Sequence, residues 1–437
     1  MKRFFTTIRN IFAIEELRTR ILNTIGFLII FRLGTYIVLP GVDANALAGN
    51  QGGLFDLINT FLGGSFSRAS IFALGIMPYI SASIVVQLLT VAVPYFTKMQ
   101  KEGESGRKRL NQFTRVLTIV ITAAQSYGYL RATINPEAIA NPGFWSFTIP
   151  SIVILVAGTM FCMWLGERIT DKGIGNGISM LIMIGIVSRF PAAIYQEMDA
   201  KGMNGAILLI IEAFTLFFVV VGTIALVQAT RRIPVQYAKQ VVGNKLYGGK
   251  RDFIPLKLNS SGVMPIIFAQ ALMFIPPLMA SIWRDNDISA YVGTTFADFT
   301  SWQYNLVFGL LILVFTFFYT AITVPSNDIA ENLKKNGGFI PGIKPGKPTA
   351  EFIDSILSKI TLPGAIFLVV IAVLPAFAVK AGITQNFAQF FGGTSLLILV
   401  GVVLDTLQQV ESYLLMRHYE GMMKSGRVKG RSQFAAA

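Results

Sequence analysis

The chain has 437 residues, of which 53% are hydrophobic and 14% are charged, and its mean hydropathy is +0.59. This balance excludes an ordinary soluble domain and indicates a polytopic α-helical membrane protein. The apolar runs are continuous, whereas a transmembrane β-barrel would show alternating segments of about 10 residues. The single cysteine, Cys162, excludes an internal disulfide.

Residues 1–20, MKRFFTTIRNIFAIEELRTR, carry too many charges for the core of a signal peptide. We predict that they form a basic amphipathic helix on the cytoplasmic surface of the membrane. Ten apolar runs follow, each close to the length of about 20 residues that a bilayer requires. The predicted spans are 21–39, 74–93, 113–132, 148–167, 174–194, 205–228, 262–283, 304–324, 361–379 and 393–415.

The basic residues are distributed unequally between the two sides of the membrane. Alternate loops and termini place 30 of the 37 Lys and Arg residues on one side and 6 on the other. Because basic loops stay in the cytoplasm, both termini are predicted to be cytoplasmic, including the tail over 416–437. The net charge of +14 therefore has a topological origin and does not indicate a nucleic-acid partner.

Ten spans divide into two halves of five, and an odd number of spans gives the halves opposite orientations, as in inverted repeats. We predict an N-terminal half over 21–194, a hinge over 195–204 and a C-terminal half over 205–415. Two long cytoplasmic loops, 230–261 and 326–360, are basic. They are either a docking surface for a cytosolic partner or determinants of topology alone.

The motifs of enzymes and nucleotide-binding proteins are missing from the sequence. The only histidine is His418, so a metal site or catalytic triad that depends on histidine is excluded. The glycine cluster GIGNG at 173–177 opens a span instead of following a strand, and Pro348 stands where a phosphate-binding loop needs Ser or Thr. We therefore expect no catalysis, no cofactor, no metal and no direct nucleotide binding.

Three ionisable residues lie within the predicted spans: Arg32, Glu212 and Asp405. Glu212 and Asp405 are near span ends, which favours solvation at the membrane interface. Arg32 is deeper, and it either faces a wet interior, bonds to carbonyl groups or packs structurally. Ion-coupled transporters usually carry paired ionisable groups at mid-membrane, so this small number argues against that class, which remains the alternative function.

Six long motifs resemble the SecY/Sec61-alpha family, the channel-forming subunits of protein translocases. They occur in family order and are GGSFSRASIFALGIMPYISASIVVQLLTV, KEGESGRKR, GTMFCMWLGERITDKGIGNGIS, PLKLNSSGVMPIIFA, ENLKKNGGFIPGIKPGKPT and FGGTSLLILVGVVLD. The resemblance implies an all-α channel of ten transmembrane helices in two inverted five-helix halves, closed by a re-entrant plug helix.

The same resemblance implies a function, partners and a location. The channel would be a passive pore that translocates unfolded secretory polypeptides and releases transmembrane segments laterally into the bacterial cytoplasmic (inner) membrane. The implied partners are the SecE and SecG subunits, the SecA motor ATPase, the ribosome, signal sequences, nascent or secretory polypeptides, and membrane lipid.

By resemblance, four groups of residues carry this function. The plug covers 53–66 and includes Gly53, Leu54, Phe55, Ile58, Asn59, Leu62, Gly63 and Gly64. The pore ring consists of Ile76, Ile80, Ile178, Ile182, Ile267 and Ile398. The lateral gate lies between spans two and seven and includes Ser81, Ser83, Gln87, Asn259, Ser260 and Ser261. The residues for partner docking are Arg231, Arg232, Lys245 and Lys344.

Some of these positions depart from the family pattern. Lys344 stands where the bacterial family usually carries Arg, and Lys245 where a pair of arginines is frequent. Lysine retains the charge but lacks the planar, bidentate fork of arginine. We therefore expect partner docking to differ in detail at this surface.

Overall fold

The computed structural model describes residues 14–43, 62–134, 138–139, 143–202, 205–237, 240–242, 245–247, 251–273, 276 and 287–424. The described part of the N-terminal half contains six helices, and a π-helical turn, Phe144–Thr148, leads into the fifth of them. They are α1 Glu15–Gly34, α2 Met77–Ala92, α3 Pro94–Lys101, α4 Glu104–Thr133, α5 Ile149–Lys172 and α6 Gly177–Lys201.

The C-terminal half combines helices with five short strands. Its helices are α7 Ala206–Gln228, α8 Met264–Met273, α9 Asp287–Ala297, α10 Trp302–Thr323, α11 Ser326–Lys335, α12 Lys347–Lys380, α13 Gln385–Ala388 and α14 Gly393–Lys424. The strands are β1 Thr230–Tyr237, β2 Gln240–Val242, β3 Lys245–Tyr247, β4 Arg251–Lys257 and β5 Gly338–Phe339.

The predicted helical membrane architecture is confirmed, and each predicted span overlaps a helix. In the described part of the chain, six helical segments are long and apolar enough to cross a membrane. They are Phe144–Lys172, Gly177–Lys201, Ala206–Gln228, Trp302–Lys335, Lys347–Lys380 and Gly393–Leu415. The pair α2 and α3 would be a seventh span, bent by 99° where Pro94 follows Val93.

The ends of several spans differ from the prediction. The first helix runs from Glu15 to Gly34, so it begins within the predicted surface helix and ends five residues before the predicted span does. Beyond it the chain is extended, and Ile37 accepts a backbone hydrogen bond from Ile71 at 2.9 Å. The second helix begins at Met77, because Pro78 has no N–H and suits the first turn of a helix.

The predicted hinge, 195–204, is mostly helical. Helix α6 continues to Lys201, and α7 begins at Ala206. Gly202 ends α6 in the left-handed region, with φ of +57°, which glycine adopts without strain. The break between the two halves is therefore confined to 202–205. At the C-terminus, α14 similarly extends to Lys424 and enters the predicted tail.

The two long loops that the sequence predicts to be cytoplasmic form an ordered domain, which the sequence analysis did not predict; we call it the cytoplasmic domain after that prediction. Strand β1 pairs antiparallel with β4 on one side and with β5 on the other. The second loop is largely helical, since α11 and the first turns of α12 lie within it. These elements enclose a separate hydrophobic core formed by Ile233, Val235, Leu256, Leu333, Ile340, Ile353 and Leu357.

A central hydrophobic cluster joins the two halves. It contains Phe31, Ile76 and Leu181 from the N-terminal half and Phe387 and Ile398 from the C-terminal half. Side chains of the two halves are buried against each other in this cluster. The candidate site lies at this contact between the halves.

Candidate functional site

A narrow apolar cavity of about 30 Å³ lies between the two halves. Five of the six predicted ring isoleucines line it. The lining residues are Phe31, Leu62, Ile76, Met77, Ile80, Leu181, Ile182, Ile267, Gln270 and Ile398. We refer to this space as the waist cavity.

Four helices hold the isoleucines in place. Ile76 caps α2, and the Ile80 N–H donates to the Ile76 carbonyl at 3.1 Å, so the two side chains share one face. Ile182 comes from α6, Ile267 from α8 and Ile398 from α14. Each half of the chain therefore contributes two helices to the wall.

Ile178 is the ring position that does not line the waist cavity. It lies in the first turn of α6, one turn before Ile182, and packs against the edge of the central cluster. A methyl group added to Gly166 of α5 would lie 3.1 Å from Ile178 Cγ1. The side chain thus fills the space between α5 and α6, where Gly166 leaves room for it.

The waist cavity has the physical properties of a hydrophobic constriction. Its volume is about that of one water molecule, and Gln270 is the one polar side chain that lines it in the described part of the chain. A narrow apolar ring loses water and blocks ions. Isoleucine side chains also make no fixed hydrogen bonds, so the ring imposes no polar specificity on what passes it.

The sequence analysis missed several residues that line the waist cavity. Phe31, Met77, Leu181 and Gln270 were not predicted. Leu181 follows Ile178 by three positions and Gln270 follows Ile267 by three, so helical spacing could have placed each near a ring residue. Phe31 carries no such signal, because its position depends on how α1 packs against the centre.

Part of the predicted plug lies outside the described residues, including Gly53, Leu54, Phe55, Ile58 and Asn59. Its last residues are described. Leu62 is 5% exposed and faces the waist cavity. Gly63 and Gly64 follow with φ of +63° and +87°, a left-handed conformation that favours glycine. This glycine pair turns the chain directly beside the constriction.

Arg32 bonds to the base of the predicted plug. Its Nη1 donates to the Gly63 carbonyl at 3.0 Å. Tyr36 lies between two guanidinium groups, with Arg32 at 5.3 Å and Arg68 at 4.4 Å from the ring centroid. Of the alternatives that the sequence left open for Arg32, the structure shows bonding to a carbonyl group.

The predicted gate helices, α2 and α8, contact each other. Ser81 donates to the Met77 carbonyl within α2 at 3.2 Å, and the Gln87 side-chain oxygen is buried without a hydrogen-bond partner. Ser261 donates to Asn259 at 3.2 Å. Ser260 donates to the Lys257 carbonyl, and Ser83 is partly buried in α2. No hydrogen bond joins the Gln87 oxygen to the Asn259–Ser261 segment.

The predicted docking residues are distributed over the cytoplasmic domain. Arg231 and Arg232 are exposed in β1, opposite Leu256 and Pro255 of β4. Lys344 is exposed between β5 and α12, and Lys245 belongs to β3. The exposed basic side chains are therefore carried by a domain with its own core.

The sequence analysis was wrong about Glu212, which is buried and not solvated at the interface. It is 8% exposed and forms an ion pair with Lys201, which also pairs with Glu197 at 2.8 Å. Glu197 in turn accepts a hydrogen bond from the Thr384 N–H at 2.9 Å. We call Glu197, Lys201, Glu212 and Thr384 the hinge cluster. Asp405, by contrast, is exposed, and its solvation at the membrane interface stays a prediction.

No group of three or more His, Cys, Asp or Glu side chains that could hold a metal ion occurs in the ranges that the structure covers. Cys162 is fully buried in the central cluster. The site thus consists of an apolar constriction, a glycine turn held by an arginine, and a hinge.

The overall fold is that of protein-conducting channels. One solved structure, described as a protein-conducting channel, has a TM-score of 0.66 at 16% identity and covers 90% of this chain and 92% of its own. A structure of Sec61 in a canine ribosome–channel complex has a TM-score of 0.62 at 15% identity, with coverage of 90% and 92%. The chain therefore has the fold of these multi-pass membrane channels.

The sequence comparisons show the family. The SecY family model matches residues 70–407. The protein translocase subunit SecY of Thermotoga maritima is 43% identical, over 97% of this chain and 99% of its own length. That of Halalkalibacterium halodurans is 44% identical, over 96% and 100%. The chain belongs to the SecY family, which consists of channel subunits and not enzymes.

Proposed function

We propose that the chain is the pore of a protein translocase: a passive conduit through which unfolded secretory polypeptides cross the membrane. The observation that carries this is the convergence of Ile76, Ile80, Ile182, Ile267 and Ile398 on one narrow cavity between the halves. The family relationship favours this function over the alternative of an ion-coupled solute transporter.

The resting pore is closed at the waist cavity by apolar side chains and by the plug base. Leu62 lines the waist cavity beside the ring, and Arg32 holds the turn that follows it. A polypeptide that enters must displace these groups. Because the ring offers only dispersion contacts and water exclusion, it re-forms around any side chain without a sequence preference.

The lateral exit for apolar segments lies between α2 and α8. Buried polar groups such as Gln87 and Asn259 make this seam less favourable than uniform apolar packing. Single polar contacts within membranes contribute only about 0.6–2 kcal/mol. A signal sequence of about 20 apolar residues gains more than this from lipid, so it can separate the two helices.

The cytoplasmic domain is the docking surface for the partner that drives transport. Its exposed residues Arg231, Arg232 and Lys344, together with Lys245 of β3, would meet SecA or the ribosome. A channel of similar fold was solved in a ribosome–channel complex. The SecE and SecG subunits would complete the complex in the cytoplasmic membrane. Both termini would face the cytoplasm, in line with the distribution of basic residues.

The test uses the purified chain reconstituted with SecE and SecG in vesicles. Single cysteines replace Ile80, Ile182 or Ile267 in a Cys162→Ser background, and a preprotein with a cross-linker is stalled during SecA-driven transport. We expect cross-links at all three positions and none at an exposed, lipid-facing control such as Phe214→Cys. Transport of the preprotein without cross-links at the ring would contradict the proposal.

A further inference from the structure

A second cavity of about 30 Å³ lies within the C-terminal half, beside the waist cavity. Its walls come from α8, α10, α12 and the segment that joins α12 to α14. Gln270 lines both cavities, so a single side chain separates them. Gln389, Thr394 and Ser395 make this second cavity polar, in contrast to the waist.

The side-chain amide of Gln389 is buried in this region without hydrogen-bond partners in the described residues. Its side chain lines the second cavity and is 2% exposed, and neither the oxygen nor the nitrogen of its amide has a hydrogen-bond partner within the described chain. Buried side-chain amides are satisfied in most proteins, by protein groups or by ordered water. An amide with two free atoms at the wall of a cavity therefore indicates a ligand.

The backbone around the cavity supplies further polar groups. Pro375, within α12, has no N–H, so the helical hydrogen bond to the Ile371 carbonyl cannot form. Gly392 packs directly against that carbonyl, since a methyl group at Gly392 would lie 2.4 Å from the Ile371 oxygen. Helix α14 begins at Gly393, and the N–H groups of its first turn have no partners within the helix.

The hydroxyl groups of the first turn of α14 complete the set. Thr394 is 6% exposed, and its Oγ1 donates to Gln270 Oε1 at 2.9 Å. Ser395 is 5% exposed and also lines the cavity. By contrast, Asn305 already donates to the Phe299 and Ser301 carbonyls at 2.9 and 2.8 Å. Donors and acceptors thus both remain available around a space that suits a small neutral ligand.

We propose that this second cavity is an ordered-water site, in which water bonds to the Gln389 amide and to the Ser395 hydroxyl. A space of this size holds about one water molecule, and polar partners on several sides are what a buried water requires. The site is independent of the proposed transport function.

The water site lies next to the dry constriction, with Gln270 between them. The hydrogen bond from Thr394 fixes the orientation of the Gln270 amide, and this side chain lines both the second cavity and the waist cavity. The bound water also links the segment that carries Gln389 to the first turn of α14, where Ser395 lies. It thereby stabilises the C-terminal half at the level of the pore.

The test combines a structure with a stability measurement. The reconstituted wild-type complex, solved at a resolution that shows ordered water, should contain density within about 3.2 Å of the Gln389 amide. Gln389→Leu should lose this density and lower the Tm by about 2–4 °C, because the remaining polar groups lose their partner. The matched control is Gln385→Leu, in the same segment and only partly buried. This variant should leave the water density and the Tm unchanged.

If the cavity holds no water, Gln389→Leu should change the Tm in the opposite direction. If the wild-type cavity is empty, the buried amide is unsatisfied, and its replacement by leucine relieves that cost and raises the Tm. Either an empty wild-type cavity or a higher Tm for Gln389→Leu overturns the proposal. If the variant does not fold, the density at Gln389 in the wild type decides alone.

Discussion

Lys201 at the end of α6 forms an ion pair with Glu212 of α7, so buried charges join the two halves of the chain at the hinge. Glu197, which is 1% exposed, and Thr384 complete the connection. Where α2 and α8 contact each other, no ion pair joins the two helices within the described residues. The hinge cluster is therefore a buried ionic connection between the halves that the predicted gate does not have.

The hinge cluster provides the first prediction. Lys201→Met leaves Glu197 and Glu212 buried without their counter-ion, which should lower the free energy of unfolding by about 3–5 kcal/mol. The measurement is denaturant or thermal unfolding of the purified protein. Lys380→Met, which removes an exposed lysine of α12, is the control and should have little effect. Equal stability of the two variants would show that the pair does not hold the hinge.

The second prediction concerns Arg32 and the plug base. Arg32→Met removes a charge-assisted hydrogen bond to the Gly63 carbonyl, which contributes about 1.5–3 kcal/mol. The population with a displaced plug base should rise about tenfold or more, since each 1.4 kcal/mol corresponds to a factor of ten. Resting ion conductance in a planar bilayer should therefore increase.

A matched arginine separates this effect from a general loss of charge. Arg131 is exposed and stacks on Tyr127 at 5.2 Å, as Arg32 does on Tyr36. Arg131→Met should leave the resting conductance at the wild-type level. A tight channel in Arg32→Met, or an equal leak in both variants, would remove Arg32 from the closing mechanism.

The third prediction compares two isoleucines that the sequence analysis assigned to the same pore ring. Ile182 lines the waist cavity, whereas Ile178 packs between α5 and α6. Ile182→Asn should wet the constriction and raise resting ion conductance. Ile178→Asn should mainly lower stability, because it buries an amide against Gly166. Conductance and thermal unfolding of both variants measure the difference, and an equal leak would refute the placement of Ile178 outside the cavity.

The fourth prediction addresses docking. Lys344→Glu reverses an exposed charge between β5 and α12 and should slow SecA-driven preprotein transport without lowering the amount of folded protein in the membrane. Lys335→Glu, an exposed charge reversal at the end of α11, is the control. Transport assays in vesicles compare the two. Normal transport by Lys344→Glu would exclude this position from the docking surface.

The fifth prediction tests the core of the cytoplasmic domain. Ile353 is fully buried in that core, and Ile353→Ala should destabilise it by about 2–5 kcal/mol. Limited proteolysis should then cleave the domain faster. Its neighbour Phe352 is 36% exposed, so Phe352→Ala should change the rate little. If both variants resist cleavage equally, Ile353 does not stabilise the domain.

The sequence by itself determined the membrane class, the approximate position of the helices that overlap the predicted spans, and the family. These follow from the length of apolar runs, the asymmetry of Lys and Arg, and long motifs, all of which are local along the chain. The strands of the cytoplasmic domain were missed because they are short and its core depends on Ile233 and Ile353, which are far apart in sequence.

Only the tertiary structure decided which side chains meet. Nothing in the spacing of Ile178 and Ile182 distinguishes them, and the distinction arises because Gly166 makes room for one of them. Arg32 reaches Gly63, and Lys201 reaches Glu212, only after separate helices have packed. Hydropathy records how a segment interacts with lipid or water, whereas contacts between segments depend on how their surfaces fit together.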